Sequence, residues 1–415
     1  MISRYPPDPL DMVRIDSKGI EVIQLNSAFG EAMVAEAHPQ WQQSFEYTVS
    51  NTDLNTNTVT NTGTVTQATA MAVVGTGTTT GSNARLNSKH HAKYKPGLGG
   101  MMRFSALFTS PVAGTFQYMG IMDEHGASAE FINGLAVGYN GTTMTVARFQ
   151  NDVLFEVAQS AWDDPLDGTG LSGVTIDFTK LNVFYIQFQY LGAGPMNFWV
   201  EHPDTGNVFI FHRIRYTNLH TTPSTYNPNY HFTMYVDNGA TTSDIVVKCA
   251  SYGYFIEGKT ELIEVHQPQN STGSLSKAGV TTEIAIATIR NKTTYAGKVN
   301  YIDIILERFG GALDTNATNA IGTIRLVKNT TLGGTPSWAD INTTNSVVEI
   351  DVAGTTLTGG KEIIALDMPG KSSSNHENVL PYKFVIHPGE SVTLAGSSVA
   401  GAATIRESLL WKELF

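Results

Sequence analysis

A single cysteine, Cys249, occurs in 415 residues, which excludes an internal disulfide and any cysteine-built zinc site. It falls in Ile245-Val246-Val247-Lys248-Cys249-Ala250 and reads as a small buried hydrophobe of a strand. The chain is therefore expected to be made in a reducing cytoplasm. Charge is scarce too: Asp, Glu, Lys and Arg make up 15% of the residues, against roughly 25% in ordinary soluble domains. The balance is −11. The one locally basic stretch, Arg85 to Lys95, reads as a solvated loop entering a strand, so binding of nucleic acid through its phosphates is not expected. No run of about 18 apolar residues occurs, which argues against membrane insertion. The first nine residues hold Pro6, Pro7 and Pro9 and lack the apolar core of a secretory signal. No amphipathic helical period extends beyond three turns.

What the chain has instead is Thr, Asn, Ser and Gly around short apolar runs. Thr is β-branched and stiff in extended backbone, and Gly and Asn supply turns. The clearest strand is Asn182 to Leu191, where Phe184, Ile186, Phe188 and Tyr190 face one way and Tyr185, Gln187 and Gln189 the other. Asn140-Gly141 lies between two further strand-like runs and marks a hairpin, because both residues tolerate positive φ. Thr48 to Thr80 reads as exposed edge strands joined by turns. Such spacing, with turns roughly every ten residues, predicts an all-β chain of two sandwich or jelly-roll domains. The expected division is an extended arm over 1–40, a first sandwich over 41–265, a linker over 266–280 and a second sandwich over 281–415. The arm has too little apolar surface for a core of its own and is expected to anchor on a neighbour.

Two stretches resemble known proteins. His387-Pro388-Gly389-Glu390-Ser391-Val392-Thr393-Leu394, followed by Ser408-Leu409-Leu410-Trp411-Lys412-Glu413, is similar to the C-terminal domains of phage tail-fibre and related virion proteins. Arg103 to Phe108, Gly134 to Gly141 and Asp177 to Phe184 resemble a domain of phage structural proteins with a concanavalin-like sandwich. The resemblance implies a virion component made in the host cytoplasm, either a receptor-contacting tail fibre or a capsid-decorating cement protein. It implies partners among other virion proteins through the arm, a homo-oligomer with a trimer as the first guess, and a host surface glycan as a further contact.

Candidate sites are few. Asp163, Asp164 and Asp167 share one loop whose oxygens are weak candidates for a structural Ca²⁺, although Pro165 breaks any EF-hand spacing; no other cofactor is expected. Asp123-Glu124-His125 and Glu201-His202-Pro203-Asp204 read as polar turns. A strand-borne pair of facing carboxylates, as sandwich glycosidases need, is not found, nor is a nucleophile elbow, a P-loop or a metal-binding histidine spacing. The chain is accordingly expected not to be an enzyme. Trp162, Trp199, Tyr226 and Tyr230 are the candidate glycan or partner contacts, since sugar C–H faces stack on flat rings. The rival readings are a free, lectin-like carbohydrate-binding module and a glycoside hydrolase or lyase.

Overall fold

The computed structural model describes residues 12–15, 21–24, 36–123, 130–258, 267–315, 321–369 and 372–415. They divide into two compact units, Met1–Glu261 and Leu262–Phe415. The first holds β1 (Met12–Ile15), β2 (Glu21–Gln24), β3 (Ala37–Ser44), β4 (Asn55–Thr60), β5 (Thr64–Ala68), β6 (Met71–Gly75), β7 (Asn83–Ala92), β8 (Gly99–Phe108) and β9 (Phe116–Met122). It continues with β10 (Gly134–Asn140), β11 (Thr143–Phe149), β12 (Leu154–Ala158), β13 (Asn182–Phe188), β14 (Met196–Glu201), β15 (Val208–Ile214), β16 (Tyr230–Asp237), β17 (Val246–Cys249) and β18 (Ser251–Glu257). Besides the β1–β2 hairpin there are two large sheets. One has seven strands in the order β12-β11-β10-β9-β16-β7-β4. The other has nine, in the order β15-β14-β13-β8-β17-β6-β5, with β18 and then β3 branching from β8.

The branch exists because β8 offers one long edge to two short strands. Gly99 to Phe104 pair with β18, and Leu107 and Phe108 pair with β17. The chain between them turns at Ala250, whose N–H is taken by the Ser105 hydroxyl. Cys249 lies in this corner, fully buried as expected, and burial pushes its thiol up to about 12.

Alternation builds the core. Phe104, Phe184, Phe198 and Phe211, from β8, β13, β14 and β15, point inward and are buried. Each such ring contributes about 1.5–3 kcal/mol by leaving water. The hairpin forms one residue later than expected: Gly141 and Thr142 turn β10 into β11, Asn140 ends β10 opposite Thr143, and Gly141 alone of the expected pair has positive φ, at +57°. The Thr-rich β4 and β5 close the edges of the seven- and nine-stranded sheets, as their composition suggests.

Several boundaries differ from expectation. Residues 37–40 belong to β3, which pairs along β18, so the sheet begins inside the stretch assigned to the arm. Of the basic stretch Arg85 to Lys95, residues up to Ala92 belong to β7, held between β16 and β4, and residues 93–95 lie beyond the strand. Within the linker-like stretch 266–280, Gln269–Ser271 and Leu275–Val280 are strands paired with Ala403–Glu413. Polar composition does not keep them loose, because an available edge satisfies their backbone groups.

The second unit packs two further sheets of six strands each. One is built on Ala403–Glu413 beside Ile304–Asp314; the other runs Trp338–Asp340, Val348–Asp351, Ile284–Asn291, Ser391–Val399, Ile321–Lys328, Lys361–Pro369. Their apolar faces enclose Ile289, Leu306, Phe309, Leu326, Leu394 and Trp411. The fold is thus all-β, with a two-sheet sandwich in each unit. The two motifs near the C-terminus have local reasons. Glu390 accepts the backbone N–H of His387 and the Lys328 ammonium at 2.8 Å, closing the turn that opens Ser391–Val399. Trp411 Nε1 donates to Glu413 Oε1 at 3.0 Å, and the same carboxylate accepts from the Ser346 hydroxyl and the Val347 N–H. One buried carboxylate stands apart: Glu407 is 1% exposed and neither of its oxygens has a hydrogen-bond partner.

Candidate functional site

Because the inward positions of the nine-stranded sheet are taken by phenylalanines and aliphatics, the intervening residues face outward. Register lines up Gln42, Gly253, Arg103, Tyr185 and Trp199 across β3, β18, β8, β13 and β14. Gly253 breaks the row: a Cβ there would come within 3.1 Å of the Phe255 ring, which leans into the space. The result is an open groove of about 490 Å³ whose walls include Arg103, Tyr185 and Phe255. The Arg103 guanidinium lies 4.6 Å from the Phe255 ring centroid and 5.3 Å from that of Tyr185. Its Nε is buried and has no acceptor.

A chain of side-chain hydrogen bonds runs beside the groove. Arg213 Nε donates to Asn197 Oδ1 at 2.9 Å, Asn197 Nδ2 donates to Gln187 Oε1 at 3.0 Å, and Gln187 Nε2 donates to Glu257 Oε1. Glu257 reaches into this chain across Gly99, where a Cβ would sit 2.0 Å from its Oε2. These bonds fix the amides, so the sheet face presents the groove's flat rings and, in the neighbouring row, oriented polar groups. Such a pairing of ring faces with directed hydrogen-bonding groups is what a polyhydroxylated ligand requires.

The expected contact residues separate. Trp199 stands half-buried on this face and its indole N–H has no acceptor. Tyr226 is exposed on a loop. Trp162 and Tyr230 are core residues, and their assignment as contacts is corrected. Trp162 donates to Val157 O at 2.9 Å and packs on Phe211 and Phe178. Tyr230 is 2% exposed with its ring edge-on to Phe188, and burial holds its hydroxyl far above the usual phenol range.

The three loop carboxylates do not converge on one point. Asp163 turns to Arg213 N at 2.9 Å and to His212 and Arg215. Asp164 accepts from Leu166 N and Ser172 N, and Asp167 accepts from the Thr169 N–H and hydroxyl. Asp164 and Asp167 tie their own loop while Asp163 is held by Arg213 N, His212 and Arg215, so the three carboxylates are turned to separate partners. Burial, opposed in part by Asp163, lowers the pKa of His212. Asp123 is buried against Asn133, while Glu124 and His125 fall outside the described residues. His202 Nδ1 accepts from Asp204 N within a turn. Arg103, Tyr185, Gln187, Phe255 and Glu257 were not singled out from the sequence. The signal available was their place on the second, less apolar side of strands whose first side is aromatic.

No family model matches the chain, and no curated protein matches it. Solved structures do. The catalytic domain of an endo-1,3-β-glucanase (laminarinase) from Thermotoga petrophila is 11% identical, with TM-score 0.38, over 55% of this chain and all of that one. A structure described under endo-acting O-glycanases of the human gut microbiota that initiate mucin breakdown is 12% identical, with TM-score 0.36, over 52% of this chain and 98% of that one. A pseudo β-1,3-glucanase of Mycobacterium tuberculosis is 10% identical, with TM-score 0.36, over 54% and 99%. Glycoside hydrolases therefore stand among the chains this one is similar to, and the expectation that it is not an enzyme is withdrawn. At this identity the likeness describes architecture alone, and the chain is similar to a β-sandwich of the kind those proteins share.

Proposed function

We propose that the first unit engages carbohydrate on the outward face of its nine-stranded sheet. One observation carries this reading: the groove at Arg103, Tyr185 and Phe255 shares its sheet face with Trp199, opposite Tyr185, and with the fixed amides of Gln187 and Asn197 in the next row. Ring faces stack on sugar C–H surfaces, and the amides supply directed donors and acceptors for hydroxyls. The full-length chain, screened on an immobilised glycan array and then titrated calorimetrically with each hit, is expected to bind at least one oligosaccharide. Tyr185→Ala and Trp199→Ala are expected to weaken binding tenfold or more. Reducing-end release from the bound glycan, measured alongside, reads turnover on the same samples. Wild-type protein that retains no glycan, or variants that bind as well as wild type, would refute the proposal.

The setting of that contact we propose from the sequence resemblance: a component of a phage or virus particle, oligomeric and joined to its neighbours through residues 1–40. Light scattering of the purified chain and antibody labelling of intact particles test this. A monomer that labels no particle would sink it.

A further inference from the structure

We propose that the groove selects an acidic saccharide, and that Arg103 is the residue that reads its oxyanion. The inference rests on the carbohydrate reading above and narrows it. Among the described residues, Arg103 is the one groove-lining side chain that is charged at neutral pH. It makes no hydrogen bond and no ion pair there; its contacts are the ring faces of Tyr185 and Phe255. A guanidinium offers five N–H donors in a planar fork, which matches a carboxylate or a sulfate through two parallel bonds.

The charge of the chain sharpens the point. At −11 overall, its acidic groups outnumber its basic ones, 37 to 26. A surface arginine in such a protein is ordinarily drawn to a carboxylate. Glu257, the acidic group in the neighbouring hydrogen-bond chain, is bound to Gln187 instead. It lies opposite Gly99, four residues along β8 from Arg103 and so ~13 Å away by strand rise. The two aromatic rings hold the guanidinium in place with no side-chain oxygen accepting a hydrogen bond from it, and of its donors the Nε–H is buried, so the terminal N–H groups are those left to meet a ligand. Gly253 keeps the approach open, because any side chain there would meet the Phe255 ring. Long-range attraction does not favour an anion here, so the preference has to come from this local site.

The test uses the full-length chain and three oligosaccharides of matched length: a neutral glucan, an oligogalacturonate and a sulfated glucan. Calorimetric titration in 0.15 M salt is expected to show at least tenfold tighter binding of one or both acidic ligands, and which of them wins tells carboxylate from sulfate. Arg103→Met is expected to erase the preference, read as the ratio of acidic to neutral affinity within that variant. Arg103→Lys, which keeps the charge without the fork, is expected to retain only a small part of it. Equal binding of acidic and neutral ligands by the wild type, a comparison that needs no variant, would overturn the assignment and leave the carbohydrate reading standing. A preference that persists in both variants would overturn it as well. Binding of none of the three, with inorganic sulfate still protecting Arg103 from phenylglyoxal, would refute the saccharide and with it this inference.

Discussion

Replacing Glu407 with methionine is expected to stabilise the second unit, and to do so more strongly as pH rises. Glu407 lies on Ala403–Glu413 opposite Gly311, pointing into the sandwich. Its carboxyl fits because the facing sheet has Gly396 there: a Cβ at 396 would be 3.1 Å from Oε1. Neither oxygen has a partner, and burial raises the pKa well above the ordinary 4.5. Leaving buried acceptors unmet costs about 1–3 kcal/mol even for the neutral acid. Above pH 4.5 the unfolded chain loses this proton while the folded chain keeps it. Stability therefore falls by about 1.4 kcal/mol per pH unit until the folded value is reached. Methionine has similar length, no titration and no unmet acceptor. The gap between variant and wild type should be about 1–3 kcal/mol at pH 4 and should widen by about 1.4 kcal/mol per unit above it. Urea titrations between pH 4 and 8 read this directly, by pulsed hydrogen exchange over residues 403–413 with the labelling pulse held at one pH. Parallel stability curves, or a variant weaker than wild type at pH 7, would refute the reasoning.

Trp162→Ala is expected to cost about 3–5 kcal/mol, as a large ring leaving a packed core does, without changing affinity for any glycan bound at the groove; calorimetry and urea unfolding of the same sample check both. Gly99→Ala drives a methyl against the Glu257 carboxylate and should cost about 1–3 kcal/mol, read as a lowered urea midpoint of the first unit. Cys249, buried and with its thiol pushed up to about 12, should not react with Ellman's reagent at pH 8 in the native protein and should give one equivalent after denaturation.

The sequence carries the strands better than it carries the faces. Asn182 to Phe188 alternates as it does because one side fills a core, and the structure places Phe184, Ile186 and Phe188 there. That pattern also leaves Tyr185 and Gln187 outward, but it does not show that Arg103 and Phe255 come beside them. Those neighbours depend on β18 returning to β8 across some 150 residues of chain, and pairing at that distance has no local signature. Trp162 and Tyr230 look like loop aromatics for the same reason. Their burial follows from Phe211 and Phe188 on strands far along the chain. The polar stretch around Gln269–Ser271 reads as a tether until Ala403–Glu413, at the far end of the sequence, supplies an edge for it.

The branching of β8 also sets a timetable. Its partners on one edge are β17 and β18, and β3 completes the branch through contacts such as Tyr252 Oη to Gln43 Oε1, 209 residues apart. During synthesis the emerging chain holds β8 with that edge unpaired until nearly the whole first unit has left the ribosome. At roughly 5–20 residues per second, the β6-to-β16 segment waits on the order of ten seconds with hydrogen-bonding edges and apolar faces unfinished. Slow, non-local closure of this kind exposes a nascent chain to aggregation. Truncation before residue 251 should leave the rest without its closing strand, so that it accumulates as insoluble material and not as a smaller sandwich.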